Sequence, residues 1–100
     1  MPAQNPSSLP IPFSAEGDPR ARELLLVWAA HGAQHISIAT GVWKDPAAWG
    51  ITLVDLARHI ARSYEQTGGP RAHEALERIL EGFHAELRKP TDDPKGNITS

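Results

Sequence analysis

The sequence has no cysteine among its 100 residues, and this absence excludes several kinds of chemistry. A disulfide framework, a cysteine-ligated zinc site and a cysteine nucleophile all require the thiol group. A chain without cysteine is also compatible with a reducing compartment.

The chain also lacks a strong excess of charge and a long apolar run. Its formal net charge is −2, whereas a nucleic-acid-binding domain usually carries a basic patch, so the balance argues against a nucleic-acid partner. No apolar run approaches the roughly 18 residues that a membrane span needs. Residues 1–9 lack the basic start and apolar core of a signal peptide. We therefore expect a cytoplasmic protein without a membrane partner.

Recognisable catalytic motifs are missing as well. The sequence contains no glycine-rich phosphate loop and no Gly-x-Ser-x-Gly elbow. Zinc sites often use histidines four residues apart on a helix, and no two histidines on a predicted helix have that spacing. Asp55 and His59 do have it, but a surface charge pair explains them more simply. We therefore assign no catalytic residue, no metal and no cofactor, and the sequence leans against an enzyme.

Proline and polar residues concentrate at the two ends. Five prolines fall within the first 20 residues, where the missing backbone donor disfavours helices and strands. Residues 90–100 are polar, with two prolines and a glycine. We predict a flexible arm over residues 1–20, one compact domain over residues 21–89 and a disordered tail over residues 90–100.

The centre of the chain begins with two short segments that predict a β-hairpin. Residues 23–30 are mostly apolar, and residues 34–42 alternate between apolar and polar positions. His31-Gly32 lies between them, and glycine supplies the positive φ that a tight hairpin turn needs. A helix over residues 24–30 is the alternative, but Trp28, Val27 and the following glycine favour a strand.

Two helices follow the hairpin. Asp45 is suited to cap the first helix, and Pro46 suits its first position, where a missing donor costs nothing. Gly68-Gly69 ends this helix, and a second one runs from Pro70 to Pro90. Both carry apolar residues at a 3.6-residue period, which are Trp49, Leu53, Leu56, Ala57, Ile60 and Tyr64, then Ala72, Leu76, Ile79, Leu80, Phe83 and Leu87. The predicted fold is α+β: a β-hairpin followed by two antiparallel α-helices (ββαα), completed by dimerisation.

A two-residue turn fixes which side chains share each face of the hairpin. One face is apolar on both strands, and we expect it to cover the helices; its residues are Leu25, Val27, Ile36 and Ile38. The opposite face is too apolar for water on a two-stranded ribbon, and its residues are Leu24, Leu26, Trp28, His35 and Ser37. We expect this second face to form a homodimer interface. The alternatives are that the arm covers it through Ile11 and Phe13, or that a longer loop exchanges the two faces.

Three side chains near the hairpin suggest a different use. Trp28, His35 and Trp43 could line a small-ligand site, although tryptophans in so small a domain more often pack in its core. The sequence therefore keeps two functions open. The first is a non-enzymatic protein-interaction or regulatory module that acts as a homodimer, with an unidentified protein partner as an extension. The second is a small-ligand-binding protein or minor enzyme with its site at these residues.

Two sequence patterns carry a resemblance to a known family. They are Trp43-x-Asp45-Pro46-x-Ala48-Trp49-Gly50 and the following Leu53-x-Asp55-x-Ala57-Arg58-His59-x-Ala61. Together with residues 23–28 they resemble a family of small, mainly alphaproteobacterial proteins of unknown function, over about residues 23–87. The resemblance implies a domain with strands first and helices after. It brings no established activity, so no catalytic residue is carried over.

Overall fold

The structure is a computed structural model that describes residues 9–90 and 95–99. Its elements in chain order are α1 (Phe13–Glu16), β1 (Leu25–Ala30), β2 (Ala33–Ala39), α2 (Ala47–Gln66), α3 (Ala72–Arg88) and β3 (Lys95–Thr99). The three strands form one sheet in the order β1-β2-β3. An antiparallel hairpin followed by two long helices confirms the predicted α+β class and ββαα order.

The hairpin turn has the two-residue geometry that the sequence predicted. His31 and Gly32 both have positive φ, at 52° and 73°, which is the backbone of a type I′ turn. Its twist matches that of the flanking strands and locks their register. The predicted pairing is confirmed: Ala30 lies opposite Ala33, Trp28 opposite His35, Val27 opposite Ile36, and Leu25 opposite Ile38.

The third strand, β3, lies in the segment for which the sequence predicted a disordered tail, residues 90–100. Lys95–Thr99 pairs in parallel with β2, with Gly96 opposite Ile36 and Ile98 opposite Ile38. The outer edge of β2 carries backbone groups that any extended segment can pair with, whatever its side chains. Composition therefore gave no signal for this strand. The expected arm over residues 1–20 contains the short helix α1, and its first eight residues lie outside the described part of the chain.

The residues predicted to begin and end α2 make the expected contacts. A carboxylate oxygen of Asp45 accepts a hydrogen bond from the Ala47 N–H at 3.0 Å, and Pro46 already has the helical φ of −56° and ψ of −20°. At the other end Gly68 has a φ of 88°. The N–H of Gly69 donates to the Tyr64 carbonyl at 2.8 Å, which is the long hydrogen bond of a Schellman C-cap.

The two helices pack against each other through small side chains. Ala61 of α2 is 2% exposed and Ala75 of α3 is 5% exposed, and these are the buried apolar residues of the described ranges. Alanine at a helix crossing brings the two backbones close together. It also buries little apolar area, so the helix pair has a narrow core.

The sheet and the helix pair do not pack together within one chain. Among the described elements, no strand residue has its Cα within 8 Å of the Cα of a residue in α2 or α3. The expectation that Leu25, Val27, Ile36 and Ile38 cover the helices is therefore wrong for the single chain. The alternating pattern specified an apolar face but not what lies against it. The described part of the arm, from residue 9, does not cover the opposite face either, because Phe13 is 89% exposed and α1 lies near no other described element.

Candidate interaction surface

Five residues of the hairpin form one continuous face, which we call the hairpin face: Leu24, Leu26, Trp28, His35 and Ser37. The register places Leu26 opposite Ser37 and Trp28 opposite His35. Pairing continues beyond β1, because the Ala39 N–H donates to the Leu24 carbonyl at 3.0 Å. Trp28 is 43% exposed and Leu26 is similarly open to solvent. The structure thus brings together all five residues that the sequence analysis assigned to an interface.

The side chain of His35, on the hairpin face, is held by a hydrogen bond to the end of β1. His35 Nε2 lies 3.1 Å from the carbonyl oxygen of Ala30. A carbonyl can only accept, so the ring nitrogen carries the hydrogen and donates it. This bond ties the imidazole to the last residue of β1. Trp28 lies directly opposite His35 on the same face, near the tip of the sheet.

The third residue of the predicted ligand site has a different neighbour. Trp43 lies edge-on to Trp49, with ring centroids 5.0 Å apart and planes at 75°. This contact holds Trp43 on the first turn of α2, where it covers the start of the helix. Trp28 and His35 are together, whereas the contact of Trp43 belongs to the helix.

Each helix adds an exposed apolar row that the sequence analysis had assigned to the core. On α2 the row consists of Leu53, Leu56, Ile60 and Tyr64, and on α3 it consists of Leu80, Phe83 and Leu87. The spacing of three or four residues puts each row on one side of its helix. The periodicity identified these residues correctly. It carried no information about whether the covering surface belongs to the same chain.

Other kinds of site find less support in the described part of the chain. There, no three or more His, Asp or Glu side chains are grouped closely enough to hold a metal ion. Among the same residues, no helix is both long and apolar enough to cross a membrane. The feature that stands out chemically is therefore the exposed apolar surface.

Comparisons with known proteins agree with the fold. A solved structure described as "a putative pyruvate dehydrogenase from the photosynthetic bacterium Rhodopseudomonas palustrus CGA009" is 40% identical to this chain and superposes with a TM-score of 0.73. The match covers 98% of this chain and 100% of that one. Among curated proteins, none matches. The model of the family described as "Domain of unknown function (DUF5076)" matches residues 8–91. The chain therefore belongs to the DUF5076 family.

Proposed function

We propose that this protein is a non-enzymatic protein-interaction or regulatory module that acts as a homodimer. The observation that carries the proposal is the near absence of a core: the buried apolar residues of the described ranges are two alanines. Burial of apolar area is the main favourable term in folding, and a core whose buried members in the described ranges are two alanines supplies little of it, even with the half-buried side chains around them. A second copy provides the missing area with a surface of matching chemistry.

The hairpin face is the proposed interface. Leu26 and Trp28 offer large apolar side chains, and Ser37 and His35 offer polar atoms beside them, a mixture typical of protein interfaces. The outer edge of β1 adds a second element, because β1 is the first strand in the sheet order β1-β2-β3. No other described strand pairs with this edge, so its backbone groups can pair with the same edge of a second copy, and a two-fold axis makes such pairing self-complementary.

Light scattering on the wild type and on Leu26→Glu tests this proposal. We expect a wild-type dimer at micromolar concentration and a mostly monomeric variant, because a carboxylate would be buried without a partner. The matched control is Gln66→Glu, which adds the same charge at an exposed position at the end of α2, outside the hairpin and the helix rows. A wild-type monomer, or a Leu26→Glu dimer as stable as the control, would contradict the proposal.

A small-ligand site at Trp28 and His35 is the second candidate, favoured by the direct pairing of these two residues across the hairpin and by the hydrogen bond that holds the His35 ring. The description of the Rhodopseudomonas neighbour makes pyruvate the first probe to use. A rise in melting temperature with pyruvate that is lost in His35→Ala and kept in His59→Ala would support this candidate. No rise at millimolar pyruvate would remove pyruvate as its ligand.

A further inference from the structure

We infer that the exposed apolar rows of α2 and α3 pack against the sheet of a second copy. In the resulting dimer the sheet of each chain covers the helices of the other. This inference rests on the proposed homodimer and adds a second, larger interface to it. The occupant is the face of the sheet that carries Leu25, Val27, Ile36 and Ile38. Each chain then contributes one sheet and receives one, as a two-fold axis requires.

The two surfaces match in chemistry. The sheet face is aliphatic on both strands of the hairpin, and Val27 on it is 52% exposed. The α2 row is also apolar along its length, and Ile60 in its middle is 48% exposed. A sheet and a helix pair with such surfaces normally form the two layers of one α+β domain. Here both layers are present in one chain but do not meet.

The segment between the layers explains why they stay apart within one chain. Residues 40–46 join β2 to α2, and their second half is bound to the helix. Asp45 caps α2 through the Ala47 N–H, and Trp43 packs against Trp49. Gly41, with a φ of 73°, turns the chain just after β2. A connection fixed in this way is consistent with a sheet that stays apart from its own helices and leaves both surfaces open to a second copy.

The extent of the exposed rows favours a second copy over a small occupant. Seven large apolar side chains in the rows of α2 and α3 are each at least 40% exposed, and Val27 of the sheet face is more than half exposed. Apolar surface that extends along much of two helices needs a partner of similar extent, which a sheet supplies and a small ligand does not. Because the sheet face and the helix rows do not meet within one chain, two copies can cover both surfaces without any other partner.

Isotope-filtered NMR on a mixed dimer tests the inference. Equal amounts of labelled and unlabelled full-length protein are unfolded together and refolded, and the solution mass is measured first. We expect a dimer with NOEs between chains that link methyl groups of Val27, Ile36 or Ile38 to those of Leu53, Leu56 or Ile60. Such contacts between labelled and unlabelled chains require that the sheet of one chain packs against the helices of the other.

The other outcomes separate the inference from the proposed function. A dimer whose interchain NOEs link only hairpin to hairpin would overturn the inference and leave the homodimer standing. A dimer in which sheet-to-helix NOEs occur only within one chain would do the same. A monomer would overturn both.

Ile60→Glu gives a second measurement. The affinity between the two chains of the exchanged dimer should fall at least tenfold in this variant. His59→Glu, on the neighbouring surface of the same helix, should change that affinity by less than twofold.

Discussion

Trp43 lies edge-on to Trp49 at a centroid distance of 5.0 Å, and this contact joins the connecting segment to the helix that follows it. The positive edge of one indole faces the negative surface of the other, which is a favoured arrangement of two aromatic rings. Because Trp43 precedes the helix and Trp49 lies in its first turns, the pair sets the direction from which the chain enters α2. It also explains why Trp43 is not available beside Trp28 and His35.

Replacing Trp43 with alanine should weaken this entry to α2. Aromatic pairs contribute about 0.5–1.5 kcal/mol beyond the area they bury, so Trp43→Ala should lower the free energy of unfolding by at least about 1 kcal/mol. Urea unfolding followed by far-UV circular dichroism measures it. Lys44→Ala is the control, since this neighbouring side chain is exposed and should change the stability by less than about 0.5 kcal/mol. Equal effects of the two substitutions would contradict the role given to the Trp43–Trp49 contact.

Two glycines should respond to alanine in opposite directions. Gly68 has a φ of 88° at the end of α2, where a side chain is strained, so Gly68→Ala should cost about 1–2 kcal/mol. Gly50 lies within α2, and an added Cβ would meet no atom within 4 Å. Gly50→Ala should therefore stabilise the protein by about 0.5–1 kcal/mol, because alanine favours helix more than glycine does. Urea midpoints that move in the same direction for both variants would contradict the placement of Gly68 at the C-terminal cap of α2 and of Gly50 in its interior.

The parts of the fold that the sequence predicted depend on neighbouring residues. The hairpin register follows from the turn at His31-Gly32, and the ends of α2 follow from Asp45 and Gly68, which act within a few residues. Each signal has its physical cause in the local backbone. The five residues of the hairpin face were correctly grouped for the same reason, since register and alternation determine a face completely.

The parts that the sequence did not predict depend on contacts between distant segments, or on which surfaces stay exposed. The pairing of Lys95–Thr99 with β2 uses backbone groups that every residue carries, so its side chains gave no indication of it. The apolar stripes on α2 and α3 predict helix surfaces that are buried in the folded protein. The usual conclusion that such stripes lie in the core assumes that the same chain also supplies the surface that covers them. Leu53 and Ile60 are about half exposed, so the described part of this chain does not cover them.

Removal of β3 should have a residue-specific effect on amide exchange. The Ala39 N–H points towards β1, where it donates to Leu24, so the N–H groups of Ile36 and Ile38 point to the opposite edge, where β3 lies. A chain that ends at Pro90 should exchange the amide protons of Ile36 and Ile38 at least tenfold faster. The amide protons of Ser37 and Ala39 serve as internal controls and should keep their protection. Uniform acceleration across β2 would instead mean that the truncation loosens the whole hairpin.

The stability of the protein should depend on its concentration, because folding and association are one process if the core forms between chains. For a folded dimer in equilibrium with two unfolded chains, a tenfold rise in concentration adds about 1.4 kcal/mol per mole of dimer at 25 °C. Urea midpoints measured at 1, 10 and 100 μM, chosen as an order-of-magnitude series, should therefore rise at each step. Leu26→Glu should lower the whole series, whereas Gln66→Glu, an exposed position at the end of α2, should reproduce the wild-type dependence. A midpoint that stays constant over this range would mean that one chain folds on its own. The surface that the helix rows and the sheet expose would then have to close within a single molecule.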